Sequence, residues 1–455
     1  MKTSMKRWMK TSMPRLIHST VMAVAALAGA CTPDVGSNPT PTSMQFDLTS
    51  SPPRAPQPTG LIVNPQTGKI DFSLAGSPLP DDCSTQQVLT QAQCQFDQWL
   101  QTLNGFPTVT VASAPASAPL DKSSLTLGQN VVVVPAHDTP PPDLVVGFDA
   151  ASTSLTVTPA QPWTLGEFYW IGVRGYANGV RAADGGEVVG SPTMALLKQD
   201  YPLTCGATDP AEIGPHCPAF EVVAQGSPST AAAQAQVFQL EVIRSAFLAD
   251  GFTLTANALP KDQIAVLWGF PIHTNSVPLL VPDTAATPHV PAANQILVGV
   301  QGPVDPATVS AFVVREHSGP VVVMDLTAAM LGDLDAGFQR VGASYLADLG
   351  AIAIQAAAPF PAGHQIGLFF TNAIQSPDGA PLVASPVSVL LTLRAPLVDG
   401  GHSTVSGVAD ADATLLEAGR AGLARVLDDP VFTPLTGVSR ANLIYAYAFV
   451  PAVQQ

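Results

Sequence analysis

The stretch Leu155-Thr-Val-Thr-Pro-Ala-Gln-Pro-Trp-Thr-Leu-Gly166 recurs later in the chain as Ile352-Ala-Ile-Gln-Ala-Ala-Ala-Pro-Phe-Pro-Ala-Gly363, at an offset of 197 residues. In both places an apolar segment leads to a proline, an aromatic residue and a glycine with the same spacing. Similarity of a chain to itself at a fixed offset indicates a repeated structural unit. The sequence therefore predicts that one unit occurs twice.

Further matches flank this stretch on both sides and keep the same order. They pair Pro119-Leu-Asp121 with Pro303-Val-Asp305, Asp184-Gly185 with Asp378-Gly379, Ser191-Pro192 with Ser385-Pro386, Leu240-Glu241-Val-Ile-Arg244 with Leu416-Glu417-Ala-Gly-Arg420, and Ile264–Phe270 with Leu443–Phe449. Chance is a poor explanation for so many matches in one order. We assign the two units to residues 60–257 and 258–455.

Each unit has the pattern of short strands joined by turns. In the first unit Ile70, Phe72 and Leu74 alternate with polar residues, which is typical of a half-buried strand. Turn-forming segments lie between the strand candidates, and this arrangement indicates a β-sandwich. Apolar residues three or four positions apart predict one amphipathic helix per unit, at about 231–250 and about 411–428. We expect a mainly β chain of two tandem sandwiches, each followed by one helix.

Several segments resemble known bacterial families. The order of residues 155–197 (apolar strand, Pro, Gly, aromatic strand, Asp-Gly, Ser-Pro) resembles Ig-like domains of the SbsA type, and residues 304–312 (VDPATVSAF) resemble an early segment of that family. Residues 103–108 (LNGFPT) and 261–270 (KDQIAVLWGF) are similar to blocks in the N-terminal, non-catalytic region of bacterial virulence-factor lipases. The resemblance covers most of residues 60–455 and implies tandem Ig-like sandwiches.

The first thirty residues have the order of a secretory signal. Residues 1–15 are basic, and residues 16–30 are mostly apolar, end in small residues and are too short to span a membrane. Residues 27–31 (LAGAC) resemble the lipobox of bacterial lipoproteins, although Ala28 stands where a larger aliphatic residue is usual. The resemblance implies that Cys31 is lipid-modified and, with Thr32 after it, that the protein is anchored at the outer membrane or cell surface. The alternative is an ordinary signal in which Cys31 has no role.

The mature part of the chain is acidic and begins with a polar segment. Residues 31–59 are rich in Pro, Ser and Thr without apolar periodicity, which predicts an extended, solvated tether. From Cys31 onward there are 14 basic and 34 acidic residues. Because contacts with phosphates need clustered Lys and Arg, this balance argues against a nucleic-acid partner.

Four cysteines remain after Cys31, and they fall into two close pairs. Cys83 with Cys94 and Cys205 with Cys217 each close a short loop in a polar, turn-rich stretch. In an exported protein this arrangement favours two local disulfides. A zinc site is the alternative, but neither pair has CxxC spacing.

Sequence motifs for catalysis are absent. The chain contains no GxSxG, HExxH or phosphate-binding loop, and its histidines are scattered singly. The nearest approach to a nucleophile motif is residues 400–407 (GGHSTVSG), which we interpret as a polar loop before a helix. We therefore predict no catalytic residue, no metal site and no cofactor.

Aromatic residues concentrate in residues 163–170 (WTLGEFYW), and two interpretations are open. At the spacing of a strand, such residues most often belong to a core. The alternative is a ligand face in which Trp163 and Trp170 stack on sugars.

Taken together, these features predict an exported, lipid-anchored, non-enzymatic surface protein with a structural, adhesion or assembly role. A second hypothesis is the non-catalytic half of a surface lipase or esterase whose α/β-hydrolase domain is absent from this chain. It rests on residues 442–451, which correspond to residues 263–272 of the first unit, where the chain leads on into the next unit. A weaker hypothesis is a carbohydrate-binding surface protein. Beyond the membrane, the sequence identifies no protein or glycan partner.

Overall fold

The computed structural model describes residues 41–48, 54–75, 78–85, 90–137, 139–278, 295–309, 319–330, 339 and 341–451. Residues from Pro41 onward belong to one compact unit. The expected signal segment 1–30 and Cys31 lie outside the described residues.

The strands are short and lie in both halves of the chain. They are β1 (Thr42–Met44), β2 (Ala112–Pro115), β3 (Val131–Pro135), β4 (Leu144–Asp149), β5 (Ser154–Pro159), β6 (Phe168–Arg174), β7 (Val188–Gly190), β8 (Ile264–Pro271), β9 (Val277–Pro278), β10 (Gln295–Gln301), β11 (Val321–Asp325), β12 (Val341–Leu346), β13 (Ala351–Ala356), β14 (Ile366–Thr371), β15 (Val398–Asp399), β16 (His402–Ser403) and β17 (Leu443–Phe449).

Helices contribute about as many residues as strands. They are α1 (Gln91–Leu100), α2 (Pro192–Leu197), α3 (Pro218–Ala224), α4 (Thr230–Ala246), α5 (Phe252–Thr255), α6 (Pro306–Val309), α7 (Leu326–Met330), α8 (Pro386–Thr392), α9 (Asp410–Leu427) and α10 (Phe432–Thr436), with a π-helical turn at Phe247–Gly251. The two long helices α4 and α9 occupy the segments expected to be helical. The expectation of a mainly β chain with one helix per unit is too narrow, because shorter helices accompany both.

The two repeats have the same strand order. In the first repeat, antiparallel sheets run β2-β5-β4 and β3-β6-β8, and in the second they run β12-β13-β10-β9 and β11-β14-β17. Taken in chain order, β10 corresponds to β2, β11 to β3, β13 to β5, β14 to β6 and β17 to β8. In each repeat the two sheets contribute to one shared hydrophobic core.

The expected boundary at 257/258 is wrong, because it would separate β8 from the sheet to which it belongs. β8 pairs along its length with β6, from Phe168 opposite Pro271 to Arg174 opposite Ile264. The first repeat therefore extends to Pro271, and the second begins after it.

One sheet of each repeat is buried on both faces. Every residue of β14 is buried, as are all residues of β8 except the last. Successive side chains of a strand point to opposite faces. In the second repeat Leu368 and Phe370 accordingly pack in the core between the sheets, whereas Phe369 packs against Leu423 and Phe432 of the helices. Each repeat is thus covered by a layer of helices outside its β3-β6-β8 or β11-β14-β17 sheet.

The expected tether 31–59 is partly folded. β1 pairs in parallel with β7, and Met44 and Phe46 are buried in the core of the first repeat. These two apolar side chains lie among Pro, Ser and Thr, and no periodic pattern marks them as core residues. The tether interpretation therefore fails for the described part of this segment, residues 42–48 and 54–59.

An ion pair between a half-buried glutamate and a buried arginine holds the helical layer in the same way in both repeats. In the first, Glu241 binds Arg244 and accepts the backbone N–H of Leu203 at 2.7 Å. In the second, Glu417 binds Arg420 and accepts the backbone N–H of Leu397 at 2.8 Å. We call this arrangement the Glu–Arg clamp.

Each arginine of the clamp also donates to the carbonyls that follow the short helix of its layer. Arg244 donates to the carbonyl of Gln199, 3.1 Å away, and Arg420 donates to those of Leu393 and Arg394, each 3.2 Å away. In both repeats the clamp thereby ties the long helix to the end of the short helix before it, α2 or α8. The repeated Leu-Glu-x-x-Arg motif is therefore structural.

Replacing the arginine of the second clamp tests this role. Arg420→Met leaves the Glu417 carboxylate without its partner and two backbone carbonyls without their donor. We expect the free energy of unfolding to fall by about 2–4 kcal/mol, measured by urea denaturation. Arg425→Met, at an exposed position of the same helix, is the matched control and should change it by less than about 0.5 kcal/mol. Equal effects of the two variants would contradict a structural clamp.

Candidate functional site

Three histidines of the described residues lie beside carboxylates, and these pairs are the first places to look for chemistry. Nδ1 of His137 is 2.9 Å from Glu167, that of His364 is 2.7 Å from Asp325, and that of His402 is 3.1 Å from Asp410. A histidine held by a carboxylate can act as a general base when a nucleophile lies on its other side. The surroundings of each pair decide whether it can do so.

The first two pairs occupy the same corner of the two repeats. Glu167 follows Gly166, and His364 follows the equivalent Gly363, so the acid of one repeat corresponds to the histidine of the other. Their partners, His137 and Asp325, lie at the end of β3 and of β11, the strands that pair with β6 and β14. Acid and base have therefore exchanged strands between the repeats. The sequence signal for this pair was the aligned position after the glycine.

The carboxylate of the first pair accepts hydrogen bonds from the backbone. Oε1 of Glu167 accepts the N–H groups of His137 and Phe168, at 3.1 and 3.0 Å, besides the ring of His137. Burial alone would raise the pKa of Glu167, but the hydrogen bonds from His137 and Phe168 outweigh burial and hold it below its usual value. A carboxylate in this state stabilises the ends of two strands.

The carboxylate of the second pair caps a helix. Oδ1 of Asp325 accepts the N–H groups of Thr327 and Ala328, both 3.0 Å away, at the start of α7. Its other oxygen faces His364. Capping satisfies donors that the first turn of a helix leaves unpaired. This pair, too, has a structural role.

The third pair lies beside the serine of the GGHSTVSG tract, but the three groups do not form a catalytic relay. Asp410 binds the ring of His402 and the backbone N–H of Ser403. The hydroxyl of Ser403 donates to the carbonyl of Val405 at 2.9 Å, and both His402 and Asp410 are exposed. A nucleophilic serine needs its hydroxyl directed at the histidine. The tract forms the β15–β16 hairpin ahead of α9, as its turn residues predicted.

Trp163 and Trp170 do not form a ligand face, because both are buried. Trp163 is 0% and Trp170 is 5% exposed. The indole N–H of Trp163 donates to the carbonyl of Thr110, and its ring lies 4.6 Å from that of Tyr169. Trp170 packs edge-on against Phe247. The burial of both indoles favours the interpretation of Trp163 and Trp170 as core residues over a sugar-binding face.

The two expected disulfides are present. Cys83 is bonded to Cys94 with Cα atoms 5.6 Å apart, and Cys205 to Cys217 with Cα atoms 5.8 Å apart. Each bond staples a helix, because Cys94 lies in α1 and Cys217 is the residue before α3. The zinc alternative for these cysteines is therefore wrong.

The junction between the repeats contains two buried polar atoms without a hydrogen-bond partner among the described residues, Nδ1 of His273 and Oε1 of Gln301. The amide of Gln301 donates to the carbonyl of Trp163, and the backbone of His273 bonds to Gly166 and Phe106. Burial lowers the pKa of His273 to about 4, so its ring is neutral at pH 7. These residues fix the backbone where β8 leads into the second repeat.

Two kinds of feature are absent from the residues that the structure describes. Within them, no three His, Cys, Asp or Glu side chains come together as metal ligands would. No described helix has the length and apolar character that a membrane span requires.

Comparisons with known proteins do not assign the chain to a family. No protein-family model matches the chain, and no curated protein is similar enough to be matched.

A buried carboxyl in α1 was not singled out by the sequence. Asp97 is 8% exposed and accepts a hydrogen bond from the amide of Gln93, one helical turn earlier, at 2.7 Å. Burial raises the pKa of Asp97 from 3.8 to about 6, and the bond from Gln93 opposes this only in part. A carboxyl whose pKa is raised by folding destabilises the folded state once it is ionised.

The pH dependence of stability tests this state of Asp97. Because its folded pKa lies above its unfolded pKa, the penalty is absent below about pH 4 and develops as the pH rises through about 6. Asp97→Asn removes it, so we expect the variant to be more stable than the wild type at pH 7.5, by up to about 3 kcal/mol. At pH 4 the two should be equal. Urea denaturation from pH 4 to 8 measures the difference, and a difference independent of pH would contradict the prediction.

Proposed function

We propose that the chain is an exported, lipid-anchored surface protein that acts as a non-enzymatic structural, adhesion or assembly module. The observation that carries the proposal is the pair of local disulfides, each stapling a helix. Disulfides persist in oxidising compartments outside the cytoplasm, so these bonds agree with the secretory order of residues 1–30. The lipobox-like segment 27–31 adds the anchor at Cys31 and the outer membrane or cell surface as its site.

The architecture we propose is a tandem of Ig-like sandwiches related to the SbsA type. Support comes from the repeated strand order and from the single core that the two antiparallel sheets of each repeat share. The helical layers are additions to that plan. Fold alone does not define an activity.

A non-enzymatic role is supported by the use made of the polar residues. The His–carboxylate pairs of the first and second repeats hold strand ends and a helix start, and the hydroxyl of Ser403 is bonded to a backbone carbonyl. The polar groups described here therefore serve the fold. The lipase-related hypothesis rests on residues 442–451 and on the resemblance of residues 103–108 and 261–270, and it too places no catalytic residue in this chain.

Serine-hydrolase activity of the chain itself is the measurement that tests the non-enzymatic role. Purified residues 32–455, with both disulfides formed, should neither react with a fluorophosphonate probe nor turn over short-chain esters. An authentic lipase treated in parallel is the positive control. Labelling that Ser403→Ala abolishes would overturn the non-enzymatic proposal, and labelling that persists in that variant would locate the nucleophile elsewhere.

Anchoring is tested separately at Cys31. Without its thiol, residue 31 cannot be lipid-modified, so Cys31→Ser should move the expressed protein from the membrane fraction to the soluble exported fraction. Labelling with a radioactive or clickable fatty acid should disappear in the same variant. Thr32→Ser is the matched control and should leave both unchanged. Membrane retention of Cys31→Ser at the wild-type level would contradict the anchor.

A further inference from the structure

Helix α1 belongs to the first repeat by chain position but packs on the second. The chain leaves the first repeat after residue 75 and returns at Leu103, whose carbonyl accepts the backbone N–H of Ile70 at 3.1 Å. Both Ile70 and Leu103 are buried, at 2% and 1% exposure. Between these points lies α1, stapled by the disulfide of Cys94 to Cys83.

One apolar side of α1 covers the helical layer of the second repeat. Ala92 is 1% exposed, and Phe96 and Trp99 pack beside it at the positions that share its side of the helix. They contact one apolar cluster of α8, α9 and the segment between them. We call this cluster the acceptor face; its buried members are Val389, Leu390, Leu393, Ala395, Leu397, Val405 and Ala413.

Polar side chains at the edges of α1 fix its register on the acceptor face. Oε1 of Gln95 accepts the backbone N–H groups of Arg394 and Ala395, at 3.1 and 3.3 Å. Oε1 of Gln93 accepts that of Ser406 at 2.6 Å, and the hydroxyl of Thr90 donates to the carbonyl of Thr404. All four bonds reach backbone atoms of residues 394–406, which lie about 300 positions away in the chain.

The first repeat covers its own helical layer with local chain. Leu240 lies 37 positions after Leu203, and this interval contains α3, whose Ala219, Phe220 and Val223 are buried against α4. In the second repeat Leu416 lies only 19 positions after Leu397, and the interval contains the small β15–β16 hairpin instead. The second repeat thus lacks an equivalent of α3 at this place in the chain.

We propose that α1 is an intrachain strap that completes the helical layer of the second repeat and fastens the two repeats together. Its binding partner is the acceptor face, a site for an amphipathic helix that carries a glutamine amide on each edge of its apolar side. Detachment of α1 would leave the apolar acceptor face uncovered while the sheets of both repeats stay intact. This inference rests on contacts alone and does not depend on export, anchoring or the absence of catalysis.

Hydrogen–deuterium exchange of the full mature chain tests the strap. The variant Gln95→Ala/Trp99→Asp removes the hydrogen bonds of Gln95 to the second repeat and places a charge in the apolar contact of Trp99. We expect amides of α8, α9 and residues 394–406 to exchange at least tenfold faster than in the wild type. Amides of the β3-β6-β8 sheet should keep their wild-type rates.

Two further variants keep this test decisive. Gln98→Ala is the matched control, because the amide of Gln98 donates to the carbonyl of Pro80 within its own loop and not to the second repeat. It should exchange as the wild type does. Gln95→Ala alone is the milder variant should the double variant fail to fold, and its faster exchange should be confined to residues 394–406 and α8.

Any of three results would contradict the proposal. Unchanged exchange in α8, α9 and residues 394–406 would show that α1 does not hold the layer. Acceleration spread equally over the sheets of both repeats would show that α1 supports the whole fold rather than this contact. A wild-type chain that is dimeric by light scattering, and monomeric in the double variant, would make the contact intermolecular and overturn the intrachain assignment.

Discussion

A sheet whose strands are apolar on both faces must be shielded from water on both of them, and this requirement determines how the layers of the molecule are arranged. β8 and β14 carry almost unbroken apolar sequence, so their sheets pack on a second sheet on one side and on helices on the other. The helical layers follow from this need, and so does the Glu–Arg clamp that fixes the long helix to the short one. The docking of α1 meets the same need where the second repeat has no local chain to meet it.

The polar residues of the interior follow the same logic. A buried carboxylate is tolerated when it accepts hydrogen bonds from the backbone, as Glu167 and Asp325 do, and the half-buried Glu241 and Glu417 add an arginine to such bonds. Among the described residues the carboxyl of Asp97 has only the amide of Gln93 as a partner, and burial raises its pKa.

Much of this fold could be predicted from local sequence, and the remainder could not for an identifiable reason. The duplication, the long helices α4 and α9, and both disulfides are short-range signals of periodicity and spacing, and each of them was found. The boundary at 257/258, the folding of residues 42–48 and 54–59, and the location of α1 depend on pairings across the chain. No local sequence pattern around Met44, Phe46 and Ala92 identifies the distant residues that they contact. Trp163 and Trp170 could be read as core or surface until the neighbouring sheet was known.

The exchanged acid and histidine at the corner of the two repeats constrain how this duplicated chain can evolve. If β3 with His137 were recombined with β14 and His364, two histidines would meet without a carboxylate. The reciprocal hybrid would bring Asp325 against Glu167, two acids at one buried corner, where like charges repel. Gene conversion that transfers only one member of a pair from one repeat to the other is therefore expected to destabilise the protein. At this corner the sequences of the two repeats are therefore not interchangeable, because each carboxylate fits only the histidine of its own repeat.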